Sequence, residues 1–181
     1  MPPRPYPHHV KVAFSFAGEQ RALIEQIATE LEKMLGFGSV FYDAWFEPII
    51  SGSGGDLMLQ QIYTERTDLV VVCISGKYDS KYWPQIEWDA IRALNASLRM
   101  GEERDRLKIL PIRVGDGEVK GFFPTTICPD VRSRTPQQAA RLIEERYKAW
   151  TNFEAAAFEP TGLVLLTPAV ARFSSAVEDL R

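Results

Sequence analysis

The chain has 181 residues, 45% hydrophobic, 25% charged and 11% aromatic; this ordinary globular composition excludes a disordered or collagen-like chain. With 21 basic against 24 acidic residues the net charge is −3, so no basic excess points to nucleic acid and no polybasic stretch to a membrane surface. The length suits one domain of roughly 150 residues plus something extra, and two cysteines, Cys73 and Cys128, are too few for a disulfide framework and fit a reducing cytosol.

The N-terminus, Met-Pro-Pro-Arg-Pro-Tyr-Pro-His-His, has no apolar core, so it does not read as a signal peptide. Its alternating prolines predict an extended, poorly ordered lead-in over residues 1–9. The longest purely apolar run, Leu69 to Ile74, falls far short of the roughly 20 residues of a membrane span, and a soluble, cytoplasmic protein is expected.

Val10 to Phe16, with Val12, Phe14 and Phe16 in alternation, predicts the first strand. Ala17-Gly18-Glu19 breaks it. From Gln20 to Leu35 the apolar residues Leu23, Ile24, Ile27, Leu31, Met34 and Leu35 recur at helical spacing, and Gly36 and Gly38 stop the helix. Ser39 to Asp43 is a short second strand. Ala44 to about Gly55 reads as a long mobile loop, with Pro48 and a Ser-Gly-Ser-Gly-Gly run; loops of this length inside a compact domain are usually functional. Asp56 is the expected N-cap of a helix reaching about Arg66.

Leu69 to Ser75 is nearly all apolar, as suits a central parallel strand buried on both faces. Trp83 to Leu98 predicts another strong helix. Leu107 to Val114 is a fourth strand whose Pro111 argues against full pairing on both edges. Thr125 to Val131 is a weak fifth strand, with Pro129 pointing to an edge. Pro136 to Trp150 is a helix with Ala140, Ile143, Tyr147 and Trp150 on one face. The alternation predicts an α/β fold, a five-stranded parallel sheet covered by helices on both faces. Ligands in such sheets bind at the carboxyl ends of the strands, near a topological switch point.

The residues able to carry chemistry are few. Trp83, Glu87, Ala90, Ile91 and Leu94 share one face of their helix, and Trp83 and Glu87 are one turn apart. A carboxylate on an apolar stripe is out of place. It reads either as a catalytic group or as an acid near the helix N-terminus held by the dipole or a basic neighbour. Phe16-Ala17-Gly18 leads into a helix N-terminus, which suits a phosphate, or is simply a tight strand-to-helix turn. Asp43 sits where a ligand-facing acid would, or caps the following turn. Trp45 and Phe46 either stack on a ligand or anchor the loop to the core. There is no G-x-G-x-x-G, no P-loop, no metal-ligand spacing and no assembled Ser-His-Asp or Cys-His triad; His8 and His9 are the only histidines.

These residues together resemble the TIR (Toll/interleukin-1 receptor) domain family. Val12-Ala13-Phe14-Ser15-Phe16-Ala17-Gly18-Glu19 is similar to its opening box, Phe41-Tyr42-Asp43 to the end of its second strand, and Ala44 to Gly55 to its BB loop. The most specific match is Ser75-Gly76-Lys77-Tyr78-Asp79-Ser80-Lys81-Tyr82-Trp83-Pro84-Gln85-Ile86-Glu87, with Trp and Glu four apart. The resemblance covers about residues 8–150.

It implies a flavodoxin-like three-layer sandwich over residues 10–150. It also implies NAD cleavage at the nicotinamide–ribose bond, giving ADP-ribose or a cyclic isomer, in a setting such as antiphage defence. Glu87 is then the catalytic residue. Phe16, Ala17, Gly18, Asp43, Trp45 and Trp83 line the substrate site, with Trp83 buttressing Glu87. NAD is substrate rather than cofactor, and no metal is implied. Several family enzymes have a basic residue where Ala17 stands, so phosphate recognition here either differs or relies on backbone amides and Arg21. The implied partners are other copies of the chain, through TIR surfaces and the 44–55 loop, and a fused or separate sensor or effector. A purely interacting TIR module and a deoxyribosyltransferase-like enzyme are the competing expectations. Residues 151–181 fall outside the resemblance, as a C-terminal extension or the start of a second domain.

Overall fold

The computed structural model describes residues 4–52, 54–76, 93–94, 96–97, 107–117 and 127–158, with side chains as far as residue 152. Four parallel strands, β1 (Val10–Phe16), β2 (Val40–Phe41), β3 (Thr67–Ile74) and β4 (Ile109–Arg113), form a sheet in the order β2-β1-β3-β4. The pairing of β1 with β3 runs from Val10↔Thr67 to Phe16↔Cys73. β3 is apolar and buried from Leu69 to Ile74, as expected of a strand covered on both sides.

Helices α1 (Arg21–Leu35) and α4 (Pro136–Phe158) lie side by side on one face of the sheet. Ile24, Ile27 and Leu31 of α1 and Ala140 and Ile143 of α4 meet Phe14, Val71 and Ile112 there. The short α2 (Glu47–Ile50) and the longer α3 (Gly55–Glu65) belong to the opposite side, where Leu59, Ile62 and Tyr63 of α3 pack with Ala13, Val70 and Val72. The Tyr63 hydroxyl donates to the Phe14 carbonyl at 3.0 Å, tying α3 to the central strand. Successive crossovers on opposite faces give the expected three-layer sandwich.

Of the expected fifth strand, Thr125 to Val131, the described residues form one parallel bridge, Arg113↔Asp130, and Thr125 and Thr126 lie outside them. Arg113 donates to the Pro129 carbonyl at 2.9 Å and Val131 donates back to Arg113 at 3.0 Å. Pro129 has no N–H to extend the ladder. Pro111 is accommodated in the same way. It shares its edge with Arg113, whose backbone faces away from β3, so its missing donor removes no bond to β3.

The segment 44–55 is not the long loop that its glycines predict. Asp43–Phe46 forms a 3₁₀ turn and α2 follows directly. Pro48 falls in the first turn of α2, where a missing N–H is harmless. Gly52 and Gly54 then turn the chain at φ of 111° and 94°, and a Cβ on Gly55 would lie 2.2 Å from the Ile50 carbonyl oxygen. Nor does Asp56 cap α3. Gly54 holds that position without a side-chain bond, and Asp56 stands in the first turn, where its charge favours the helix dipole.

The last helix runs past the expected Trp150 to Phe158. Its start is closed reciprocally. Thr135 N–H donates to Gln138 Oε1 at 2.9 Å, and Gln138 N–H to Thr135 Oγ1 at 3.2 Å. Of the helix expected over Trp83 to Leu98, residues 93, 94, 96 and 97 are helical, and the rest lies outside the described residues.

Ile143 is fully buried between α4 and the sheet, whereas Ile127 is 89% exposed. Urea denaturation is expected to show Ile143→Ala losing about 2–5 kcal/mol of stability. The same measurement on Ile127→Ala is expected to stay within about 0.5 kcal/mol of the parent.

Candidate active site

The carboxyl ends of the four strands meet along one rim of the sheet. At β1 the chain leaves Phe16, passes through buried Ala17 in extended backbone, and enters a 3₁₀ turn, Gly18–Gln20, that runs straight into α1. The Gln20 N–H closes this turn on the Ala17 carbonyl at 2.9 Å. No side chain caps either the turn or the helix, and Gly18 is exposed at its tip. A helix start that no side chain caps is favourable ground for an anion.

At β2, Tyr42 stacks on Phe16 with ring centroids 5.5 Å apart and planes 13° from parallel. Arg21, from the first turn of α1, lies over both rings, 5.3 Å from the Phe16 centroid and 5.8 Å from that of Tyr42. Its guanidinium forks onto Asp43 with two bonds of 2.8 Å. The Asp43 hydrogen bond raises the Arg21 pKa further, so the group is cationic at any working pH. Burial raises the Tyr42 phenol above its usual range, against the opposing effect of Arg21. Asp43 also accepts the Ala44 N–H at 2.7 Å. Both readings of this residue thus have a physical basis: it caps the turn and stands at the rim.

Trp45 and Phe46 divide the aromatic roles. Phe46 is an anchor, 1% exposed and stacked 5.0 Å from Phe41. Trp45 is half-buried, edge-on to Tyr42 at 5.2 Å, with the Arg4 guanidinium 3.8 Å over its ring. Arg4 in turn forks onto Glu32 of α1 at 2.7 and 2.9 Å. Residue 4, within the predicted lead-in, thereby fixes the segment that follows β2. The aromatic–cation sandwich has no local sequence signal, since its members come from three distant segments.

At β3 and β4 the chain ends approach without intervening side chains. A Cβ on Gly76 would lie 2.7 Å from the Asp116 carbonyl oxygen, and one on Gly117, at φ of 121°, only 2.2 Å from the Gly76 Cα. Arg113 steadies this turn by donating to the Gly117 carbonyl at 2.6 Å. Arg132 joins Asp116 to Asp130. Ser75, just before Gly76, is 4% exposed, and its hydroxyl has no hydrogen-bond partner. An unsatisfied buried hydroxyl costs about 1–3 kcal/mol, so its presence needs a reason.

The structure thus brings Phe16, Asp43 and Trp45 together through Tyr42 and Arg21, with Ala17 beneath and Gly18 at the rim. Glu87 and Trp83 lie outside the described residues. Neither cysteine is activated. Burial pushes the Cys73 thiol far above its usual range, and it raises that of half-buried Cys128 as well. No cluster of three or more His, Cys, Asp and Glu suited to a metal ion occurs among the described residues, and no described helix is long and apolar enough to cross a membrane.

A family model for the TIR domain matches residues 12–146. The chain is also 34% identical over 137 residues to the 3' cyclic ADP-D-ribose synthase AaTIR of Aquimarina amphilecti. That alignment covers 76% of this chain and 39% of the relative, so the chain spans about two fifths of that protein's length.

The Arg21–Asp43 pair keeps side-chain exposures of 45% and 27%. Water screens such a pair, so Asp43→Asn is expected to change unfolding free energy by less than about 1 kcal/mol. Phe16→Ala is expected to cost about 3 kcal/mol or more in the same urea titration. For Cys73, a raised pKa means that the fold favours the neutral thiol. That contribution is complete below the ordinary thiol pKa of about 8.5 and is lost as pH rises above it. The melting temperature of the parent is therefore expected to fall more steeply above that pH than that of Cys73→Val.

Proposed function

The chain belongs to the TIR domain family, and from that premise we propose that it cleaves NAD at the bond between nicotinamide and ribose. The observation that carries this reading is the 34% identity, over 137 residues, to a relative named as a cyclic ADP-ribose synthase. The rim supports it chemically. The Gly18–Gln20 turn, which no side chain caps, and the Arg21 guanidinium beyond it suit a pyrophosphate, and Phe16, Tyr42 and Trp45 offer aromatic surface to a dinucleotide.

In the proposed reaction the C1′–N bond breaks and its electron pair leaves with nicotinamide. Positive charge develops on the ribose, as in glycoside cleavage, and a carboxylate nearby stabilises it. We assign that role to Glu87, with Trp83, four residues before it in the sequence, as its buttress. Water capture at C1′ gives ADP-ribose; capture by a nucleophile of the same molecule gives a cyclic isomer. The relative's name favours the cyclic product.

Because the chain spans 39% of that relative, we further propose that it works as one module of a larger assembly, pairing with other copies through residues 44–55 and with a sensor or effector. Its free thiols suit a reducing compartment, and we place its action in the cytoplasm.

Chromatography of NAD incubated with the protein tests the reading. Nicotinamide release is expected from the parent. Glu87→Gln is expected to lose about 100-fold or more of it, with an unchanged circular dichroism spectrum. No release from the assembled parent protein would remove the enzymatic reading and leave the interaction module.

A further inference from the structure

The Ser75 hydroxyl is the one polar side-chain group along the described rim that is buried and unpaired. It does not sit in an apolar interior. Ser75 follows β3 just beyond the Phe16↔Cys73 pair, so it stands level with the turn that leaves β1. That turn supplies Gln20. A Cβ placed on Gly115, beyond β4, would lie 3.0 Å from the Ser75 Cβ and 3.2 Å from the Gln20 Nε2. Glycine at 115 therefore lets the chain after β4 pack closely against a hydroxyl-bearing side chain and a primary amide.

The backbone around it is fixed. The Gly76–Gly117 approach and the Arg113 bond to the Gly117 carbonyl leave the β3 and β4 ends no freedom to draw Ser75 away. The hydroxyl is thus held, desolvated and unsatisfied, in the crevice between the ends of β1 and β3. In a sheet ordered β2-β1-β3-β4 that crevice is the topological switch point.

The charges along the rim are divided. The Arg21 cation, paired with Asp43, lies on the β2 side, over Phe16 and Tyr42. Ser75 and Gln20 are themselves neutral donors and acceptors. A pyrophosphate suits the first position. An uncharged hydrogen-bonding group, a carboxamide or a ribose hydroxyl, suits the second.

We propose that Ser75 is a substrate-binding residue. Its hydroxyl, with the Gln20 amide beside it, hydrogen-bonds an uncharged polar group at the nicotinamide–ribose end of the dinucleotide. This rests on the NAD-cleavage reading above and adds to it the residues that hold the end of the substrate that reacts.

Ser75→Ala removes an unsatisfied hydroxyl, so the ligand-free variant is expected to melt at or above the parent temperature. A hydroxyl with a structural role would lower it. Ligand binding is then measured by thermal shift in the Glu87→Gln background, where NAD persists. Ser75→Ala is expected to weaken NAD binding about tenfold or more. ADP-ribose, which lacks nicotinamide, separates the two groups. Weakening with both ligands assigns the bond to a ribose hydroxyl, and weakening with NAD alone to the carboxamide. An unchanged NAD affinity in Ser75→Ala, or a lowered melting temperature with an unchanged ligand shift, overturns the proposal. If the parent protein neither releases nicotinamide nor binds NAD, the underlying reading fails and takes this one with it. Turnover by the parent with a Ser75→Ala variant that binds normally overturns only the role of Ser75.

Discussion

The pairing of β1 with β3 is the contact on which the rest of the molecule depends. Its register, Val10↔Thr67 through Phe16↔Cys73, joins the two strands most completely covered by helices. A slip of one residue would exchange the two faces, turning Phe14 and Val71 away from α1 and Ala13 and Val70 away from α3. The same register sets Phe16 and Ser75 at a common rim. The hydrophobic pattern that stabilises the sheet thus also decides which polar groups face one another at its end.

Much of this was legible in the sequence because it is periodic. The alternation in Val10 to Phe16, the helical spacing from Leu23 to Leu35 and the continuous run at Leu69 to Ile74 each dictate one kind of packing. Punctuation was harder to read. The glycines of residues 52–55 suggested a mobile loop, but they make a corner between two helices. Asp56 looked like a cap, while Gly54, already at a positive φ, took that place. Thr135 and Gln138, a legible capping box, opened a helix recognised only by its apolar face. The alanines of 155–157 give Phe153 to Phe158 helical character in the sequence, yet no breaker separates that stretch from Trp150, and the two form one helix.

The candidate site divides along similar lines. Phe16, Gly18 and Asp43 could be nominated because each ends a strand or opens a turn, and ligands in such sheets gather there. Their actual relation could not be read. Arg21 reaches Asp43 across 22 residues, and Arg4 reaches Glu32 across 28. Such pairs exist only once the sheet has brought α1 beside the end of β2. Ser75 stood in the sequence as part of a family pattern, but the want of a partner for its hydroxyl is a property of the folded surroundings.

The seam between Gly76 and Gly117 has a consequence of another kind. Where side chains separate two loops, the gap can be tuned gradually, a methyl group at a time. Here backbone meets backbone, so the spacing is set by the thickness of the polypeptide itself. Any side chain at either position replaces a fine adjustment with a step of several tenths of an ångström or more. Evolution has correspondingly little room to vary the geometry of this corner of the crevice by degrees. Diversity among chains built this way should accumulate instead on the β2 side, where Arg21, Tyr42 and Trp45 meet through side chains that can be exchanged one at a time.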